Sequence, residues 1–516
     1  MERPRLATLA AFAVAITACA GVKQSPGTGA GGSSAATGNG GAAPGSGGTS
    51  TGAGGTSTGA GGTSGGGTCT ANLECQQTTC KVGNCSVPAC AEFENPKTTL
   101  SGTIYDPAGK TPLYNVAVYI PNKALDPIPE GVSCQKCDGT ASGQPIASAL
   151  TDATGHFTMD NPPVGKNIPM VIQVGKWRRQ VIIPEIDRCT DNVITDVDLE
   201  RLPANQSEGH LPLIALTTGH SDALECLLRK IGISDSEFTP DSGTGRVHLY
   251  YGGDLSGPTG DGAGANALAS GPAFASAATL WGSPAKLANY DIMVLSCEGS
   301  QYTDAKKPYL ANVKAYADMG GRIFDDHLHF YWINHNVDAW QDTADWIGVG
   351  DDLGDVTALV DQTFAKGMTF ASWLTTVGAS TTPGQVPIVM AQHSVSADMP
   401  PVSQQWIYTS SPSASVQYLD FNTPVEAVES GVDGGAANQC GRVVFTDIHV
   451  SAASGDTSHP ETPFPTGCTS TTMSPQEKAL EFIFFDLSSC VQNDFDPPVP
   501  ITVGYEGTGP GRAVSR

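Results

Sequence analysis

Histidine is scarce enough in this chain for its neighbours to matter. Only 10 histidines occur among 516 residues. Three of them fall in two short acidic runs, Asp325-Asp326-His327-Leu328-His329 and Asp447-Ile448-His449. A third run, Cys297-Glu298-Gly299, precedes both. A thiol beside an imidazole is the raw material of a nucleophile and its base. Mixed carboxylate and imidazole sets hold zinc or manganese. Three chemistries are therefore open. One is hydrolysis with Cys297 as nucleophile, Glu298 beside it, and His327 or His449 as base. The second is a divalent metal held by Asp325, Asp326, His327 or His329 together with His449. Only a subset of these can share one ion, because successive strand residues point to opposite faces. The third is a polar rim that binds a ligand or satisfies its own hydrogen bonds. A disulfide, with Cys226 as one partner, would take Cys297 out of chemistry altogether.

The elements around these runs must place them. Residues 246–251, 290–296, 322–325 and 442–446 read as buried strands. Residues 222–231, 309–319 and 475–487, the last with Ser474 as N-cap, read as helices, and a further helix falls within 363–377. Apolar strands alternating with amphipathic helices predict a parallel sheet covered on both faces, here spanning 210–492. In such sheets ligands meet the carboxyl ends of the strands, where all three runs lie, together with Gly252-Gly253-Asp254. Residues 387–424 are β-rich and read as an inserted ribbon. Tyr331, Trp332, Trp340 and Trp346 follow the Asp/His strand and are either a sugar-stacking wall or helix core.

Within this region ANYDIMVLSCEGS (288–300), VKAYADMGGRIFDDHLHF (313–330) and CGRVVFTDIH (440–449) appear in that order. The series resembles the class I glutamine-amidotransferase-like fold, including its divergent ThuA-like branch. The resemblance covers roughly residues 245–490 and implies a doubly wound, flavodoxin/amidotransferase-like α/β domain. It does not imply glutamine hydrolysis. The position of the nucleophile elbow holds Asp326 or His327, with no glycine-flanked cysteine. His459-Pro460-Glu461 mimics a family motif from a loop.

Residues 98–200 have a different texture. Gly102 to Val118, followed by Thr151-Asp152-Ala153-Thr154-Gly155-His156-Phe157, alternate apolar and polar residues between turn signals. They resemble the carboxypeptidase-regulatory-like, prealbumin-type β-sandwich, which implies a bracing or presenting module. This copy carries an insert with Cys134-Gln135-Lys136-Cys137, read as structural disulfide cysteines outside any thioredoxin-like context. Lys176-Trp177-Arg178-Arg179 is either a sugar or acidic-partner platform or a charged edge strand.

The N-terminal residues contain a basic start, an apolar run and Ile16-Thr17-Ala18-Cys19. This resembles the lipobox of bacterial lipoproteins. It implies a signal peptide at 1–18, lipidation (including palmitate) of Cys19 and a membrane-anchored, extracytoplasmic protein. Ala20 after the cysteine points to the outer membrane. Residues 19–67 are a Gly/Ser/Thr linker in which 49–55 (TSTGAGG) repeats at 56–62. It buries no apolar surface and stays disordered, with a reach of roughly 35–40 Å. Residues 68–97 hold Cys69, Cys75, Cys80, Cys85 and Cys90, read as a disulfide-stapled segment. Residues 493–516 read as a disordered tail.

Fourteen cysteines less Cys19 leave thirteen, so at least one sulfur is unpaired within the chain. A net charge of −24, from 51 acidic and 27 basic side chains, argues against a nucleic-acid partner. The whole order resembles cell-surface lipoproteins of Gram-negative bacteria. A tryptophan-synthase α assignment, which chains of this look sometimes carry, has no support, for no eightfold βα series with a phosphate loop occurs. The expectation is a disulfide-bonded, multidomain surface protein that binds a carbohydrate or other ligand. The alternative is a metal-dependent or Cys/His hydrolase.

Overall fold

The computed structural model describes residues 97–425, 438–450 and 462–503. Cys19, the signal and linker segments, the five clustered cysteines and His459-Pro460-Glu461 lie outside the described residues. No described helix is long and apolar enough to cross a membrane.

Seven strands open the described chain: β1 (Thr99–Thr103), β2 (Ala117–Pro121), β3 (Pro145–Leu150), β4 (His156–Asp160), β5 (Gly165–Val174), β6 (Trp177–Ile186) and β7 (Asp191–Val193). They form a three-stranded sheet in the order β4-β1-β7 and a four-stranded sheet in the order β3-β2-β5-β6. β4 shows the two-residue period that gives a strand one wet and one dry face: Phe157 and Met159 are buried, His156, Thr158 and Asp160 exposed. The turn before it needs Gly155 at φ 74°, as its sequence predicts. Phe157, Met159 and Leu100 share one apolar cluster with Val118, Ile120 and Ile172 of the other sheet.

A larger, eleven-stranded mixed sheet follows. Its chain supplies β8 (Ile214–Thr218), β9 (Phe238–Pro240), β10 (Val247–Tyr251), β11 (Ala275–Ser276), β12 (Ile292–Leu295) and β13 (Arg322–Asp326). After these come β14 (Ala344–Trp346), β15 (Gly354–Val360), β16 (Gln385–Ala391), β17 (Val395–Asp398), β18 (Gln404–Thr409), β19 (Ser415–Thr423) and β20 (Gly441–Thr446). The parallel part runs β11-β10-β8-β12-β13-β20, and β9 adds to β10 off that path. Numbered along the chain, its six strands lie in the doubly wound order 3-2-1-4-5-6. This corrects the flavodoxin-like part of the expectation, whose order is 2-1-3-4-5: two strands are added on one side of β8 before the chain crosses to β12. The crossing leaves a switch point between the carboxyl ends of β8 and β12.

Residues 387–424 are not a separate ribbon. β19, β18, β15 and β16 continue the sheet antiparallel from β20, and only β14 and β17 pair apart.

Among the described residues the helices of eight residues or more are α1 (Leu224–Ile231), α2 (Leu310–Asp318), α3 (Ala365–Thr376) and α4 (Pro475–Ser488). Ser474 and Glu477 cap α4 reciprocally, each side chain binding the other's backbone N–H. Alternate strand residues face opposite ways. Ile214, Leu216, Ile292, Val294 and Val444 join the cluster of α4 residues Leu480 and Ile483. Ala215, Met293, Ile323 and Val443 join that of α2 residues Val313 and Tyr316.

The α4 face also receives the small sheets. Trp177 meets Phe484 and Phe485 edge-on at 6.4 and 5.8 Å, and Tyr114 stacks on Phe482. Lys176 is buried against Asp291. The Lys176–Arg179 run is therefore not a sugar platform: its lysine and tryptophan are interior, and β6 is an edge strand. Cys134–Cys440 and Cys137–Cys490 tie the small-sheet insert to the start of β20 and the end of α4, and Cys226–Cys468 closes a third bond. Cys226 is thus not the partner of Cys297, which is the free cysteine among the described residues. All described residues belong to one compact unit. The chain also stays packed beyond 493, where disorder was expected: Asp494 is buried on Arg442, and the Ile501 carbonyl accepts a bond from Ser148.

Candidate functional site

Cys297 lies two residues past β12, at the switch point. Its backbone carbonyl accepts the N–H groups of Ser221 and Asp222 from the loop after β8, and its own N–H donates to Asp326 Oδ2 at 3.0 Å. These bonds hold a buried sulfur in place. Its Sγ lies 3.5 Å from His327 Nδ1. His327 is the first residue past β13, and its backbone is left-handed at φ 44°. For a residue with a Cβ that conformation is strained, and such strain collects at functional sites. It turns the imidazole from the strand end towards the sulfur. His449, three residues past β20, stands edge-on to His327 with ring centroids 4.8 Å apart. Sγ of Cys297 and one ring nitrogen each of His327 and His449 all lie within 4.8 Å of one another.

The loop bearing His449 is held from two sides. Both carboxylate oxygens of Asp222 accept the Val450 N–H, at 3.0 and 2.9 Å, and the Gln476 side-chain amide donates to the His449 carbonyl. Asp447 accepts the Ser394 N–H at 2.7 Å, and burial raises its carboxyl to about 7. His449 itself is only 8 % exposed, and its Nε2 makes no hydrogen bond.

Burial dominates the electrostatics. It pushes the Cys297 thiol well up, with the Asp326 carboxyl adding to the effect, while the Leu328 and Gly299 amides oppose it. It pushes His327 well down, with His449 adding to the effect, and lowers His449 despite the nearby Asp222. At neutral pH the centre is a thiol and two neutral imidazoles, rather than the thiolate–imidazolium pair of an activated cysteine.

The remaining candidates fall outside this centre. Asp326 supports the Cys297 backbone, and its carboxyl is raised well above the usual range by burial and the adjacent Asp222. Asp325 is buried with neither oxygen hydrogen-bonded, and its carboxyl too is raised well up by burial. Glu298 accepts the Gly253 N–H at 2.8 Å and pairs with Lys306 at 2.8 Å, locking the loop after β10 to the loop after β12. His329 has both ring nitrogens engaged, Nε2 with the Ser296 carbonyl and Nδ1 with the Trp332 indole N–H. These placements correct the metal set: Asp325 and His329 stand apart from the group formed by Cys297, His327 and His449. The structure likewise keeps Glu298 out of the thiol–imidazole cluster. Strand alternation is the reason, for it sends Asp325 to the face opposite Asp326. The aromatic wall also dissolves: Trp332 and Trp340 are fully buried, Tyr331 is buried, and Trp346 packs on Phe330 and Phe445.

Sequence reasoning placed Asp222 only at a helix start. Its position past β8, the strand opposite β12 at the switch point, is the signal that could have marked it.

A second convergence of carboxylates, Asp420, Asp486 and Asp494, is filled by the protein's own cations. Arg442 reaches all three, and Lys366 bonds Asp486 and Asp494 at 3.0 and 3.1 Å. It is a structural ion network.

No family model matches the chain, and no curated protein does. Two solved structures, both cohesin–X-dockerin complexes of Acetivibrio cellulolyticus carrying interface mutations, match 28% of this chain and 78% of theirs. Identity is 16% and the TM-score 0.14 in each, which describes no shared overall fold.

Proposed function

We propose that this chain is a lipid-anchored extracytoplasmic protein whose large-sheet region is a hydrolase acting at Cys297, His327 and His449. The observation that carries the reading is their convergence within 4.8 Å at a doubly wound switch point, the place where such sheets put their chemistry. The centre activates the attacking group, whose proton ends on the leaving group. The net reaction consumes one water per bond cleaved.

Export fits the rest of the molecule. Three disulfides between described residues join distant parts of the fold, and such bonds persist in oxidising compartments. The lipobox at Cys19 supplies the anchor, and Ala20 favours the outer membrane. The small sheets, which resemble a carboxypeptidase-regulatory module, brace the catalytic region through two of the disulfides. The resemblance to divergent amidotransferase-like domains is consistent with a strained His327 where those proteins carry their elbow.

The test is an assay of the mature protein on chromogenic esters, phosphate esters and glycosides. His327→Ala and His449→Ala should each lower turnover of the accepted class by roughly 100-fold or more while the fold is kept. No hydrolysis of any class, or unchanged turnover in both variants, removes the catalytic reading. Palmitate labelling in cells should be lost in Cys19→Ser, and labelling that persists removes the anchor.

A further inference from the structure

We infer that the centre formed by Cys297, His327 and His449 is a zinc site with an open fourth position; this deepens, and rests on, the catalytic reading of the same residues. The ligand types and the geometry both carry it. One thiolate and two imidazoles are soft to borderline donors, which select zinc-class ions over magnesium or calcium. Zn–S bonds of ~2.3 Å and Zn–N bonds of ~2.0–2.1 Å, at the tetrahedral angle, separate sulfur from nitrogen by about 3.6 Å. The observed Cys297 Sγ to His327 Nδ1 distance is 3.5 Å. The third nitrogen is no further than 4.8 Å from either, about 1 Å beyond the spacing of two ligands on one zinc ion.

A second observation is independent of those distances. His449 is more than nine-tenths buried, and its Nε2 has no hydrogen-bond partner. A buried polar atom without a partner calls for an explanation, and an ion is one. The surroundings also match what metal sites need outside the ligands. Asp326 fixes the Cys297 backbone, and Asp222 and Gln476 fix the backbone around His449. Three protein ligands leave one position for water or substrate, the arrangement of catalytic rather than structural zinc. When the ion binds, the Cys297 thiol gives its proton to solvent and the sulfur coordinates as thiolate.

Cobalt is the probe, because it reports its ligands by absorption. Metal-depleted protein titrated with Co²⁺ should take up one equivalent and show a thiolate-to-cobalt charge-transfer band with tetrahedral visible bands, and Zn²⁺ should then displace it. Cys297→Ser should lose the charge-transfer band, and His449→Gln should weaken metal binding more than 100-fold, beyond the roughly 10–100-fold expected of Asp326→Asn as an outer support. The wild-type spectrum needs no variant to fold. Absence of the charge-transfer band in wild-type protein, or its retention in Cys297→Ser, overturns the zinc site. The two readings separate cleanly. Hydrolysis lost in His327→Ala without any bound metal overturns the zinc site alone. A bound metal with no hydrolysis of any substrate class supports the zinc site and overturns only the catalytic reading.

Discussion

Glu225 shows what burial does to a single carboxyl. It sits in the first turn of α1, fully buried, with Oε2 unpartnered. Burial, aided by Asp222, lifts its carboxyl to about 8. The folded protein therefore holds it neutral at pH 7, while the unfolded chain ionises it near 4.5. A raised carboxyl makes its contribution to stability fully below the unfolded value, and that contribution is lost as pH climbs towards the folded one. Between pH 4.5 and 7 the loss is about 3 kcal/mol, at up to ~1.4 kcal/mol per pH unit. Glu225→Gln keeps the shape and removes the titration. Urea midpoints of the variant should change less between pH 5 and 8 than those of the wild type. Equal slopes would show that Glu225 titrates normally. The same direction holds for Asp106 and Glu481, a buried carboxyl pair between the small sheets and α4, so both sites favour the mildly acid side.

At the scale of elements the tight places are backbone contacts. The turn joining β5 to β6 brings Gly175, at φ 51°, onto the last turn of α4. A Cβ there would sit 1.8 Å from the Ser488 carbonyl oxygen. Gly175→Ala meets both a left-handed backbone and a rigid neighbour, so a loss of more than ~2 kcal/mol is expected. Chemical denaturation measures it, and a change below ~0.5 kcal/mol would mean that the turn and helix separate freely. This contact also marks the limit of what was legible beforehand. Buried strands such as 442–446, the Ser474 cap and the Gly155 turn could be read because each rests on neighbours in sequence. The order 3-2-1-4-5-6 and the extension through β19, β18, β15 and β16 rest on pairings between distant strands, which local patterns do not encode. The site divides the same way. Strand-end position singled out Cys297, His327 and His449 as three separate residues. That they meet, that Asp222 holds the His449 loop, and that Trp332 occupies His329, are all consequences of packing.

At the scale of the whole described fold, the small sheets and the large sheet are joined by disulfides. The Cys134-Gln135-Lys136-Cys137 insert does not close on itself. Its two cysteines reach 306 and 353 residues along the chain, to Cys440 at the head of β20 and Cys490 at the foot of α4. The backbone reinforces the clamp, for the Cys137 N–H donates to the Val491 carbonyl and the Val491 N–H to the Gln135 carbonyl. β20 delivers His449, so the clamp fixes the strand behind the centre as well as the joint between the regions. Disulfides that close long loops restrict the unfolded chain most, at typically 2–4 kcal/mol each. Replacing both insert cysteines by serine should therefore remove about 4 kcal/mol or more and lower the thermal midpoint by several degrees. Reductant should lower the wild-type midpoint as well, and lower that of the double variant less, since only the bonds at Cys226–Cys468 and Cys189 remain there to break among the described residues. Scanning calorimetry with and without dithiothreitol reads both effects. Coincident wild-type traces would show that the clamp contributes nothing, and the disulfide argument for an extracytoplasmic protein would then rest on chemistry the fold does not use.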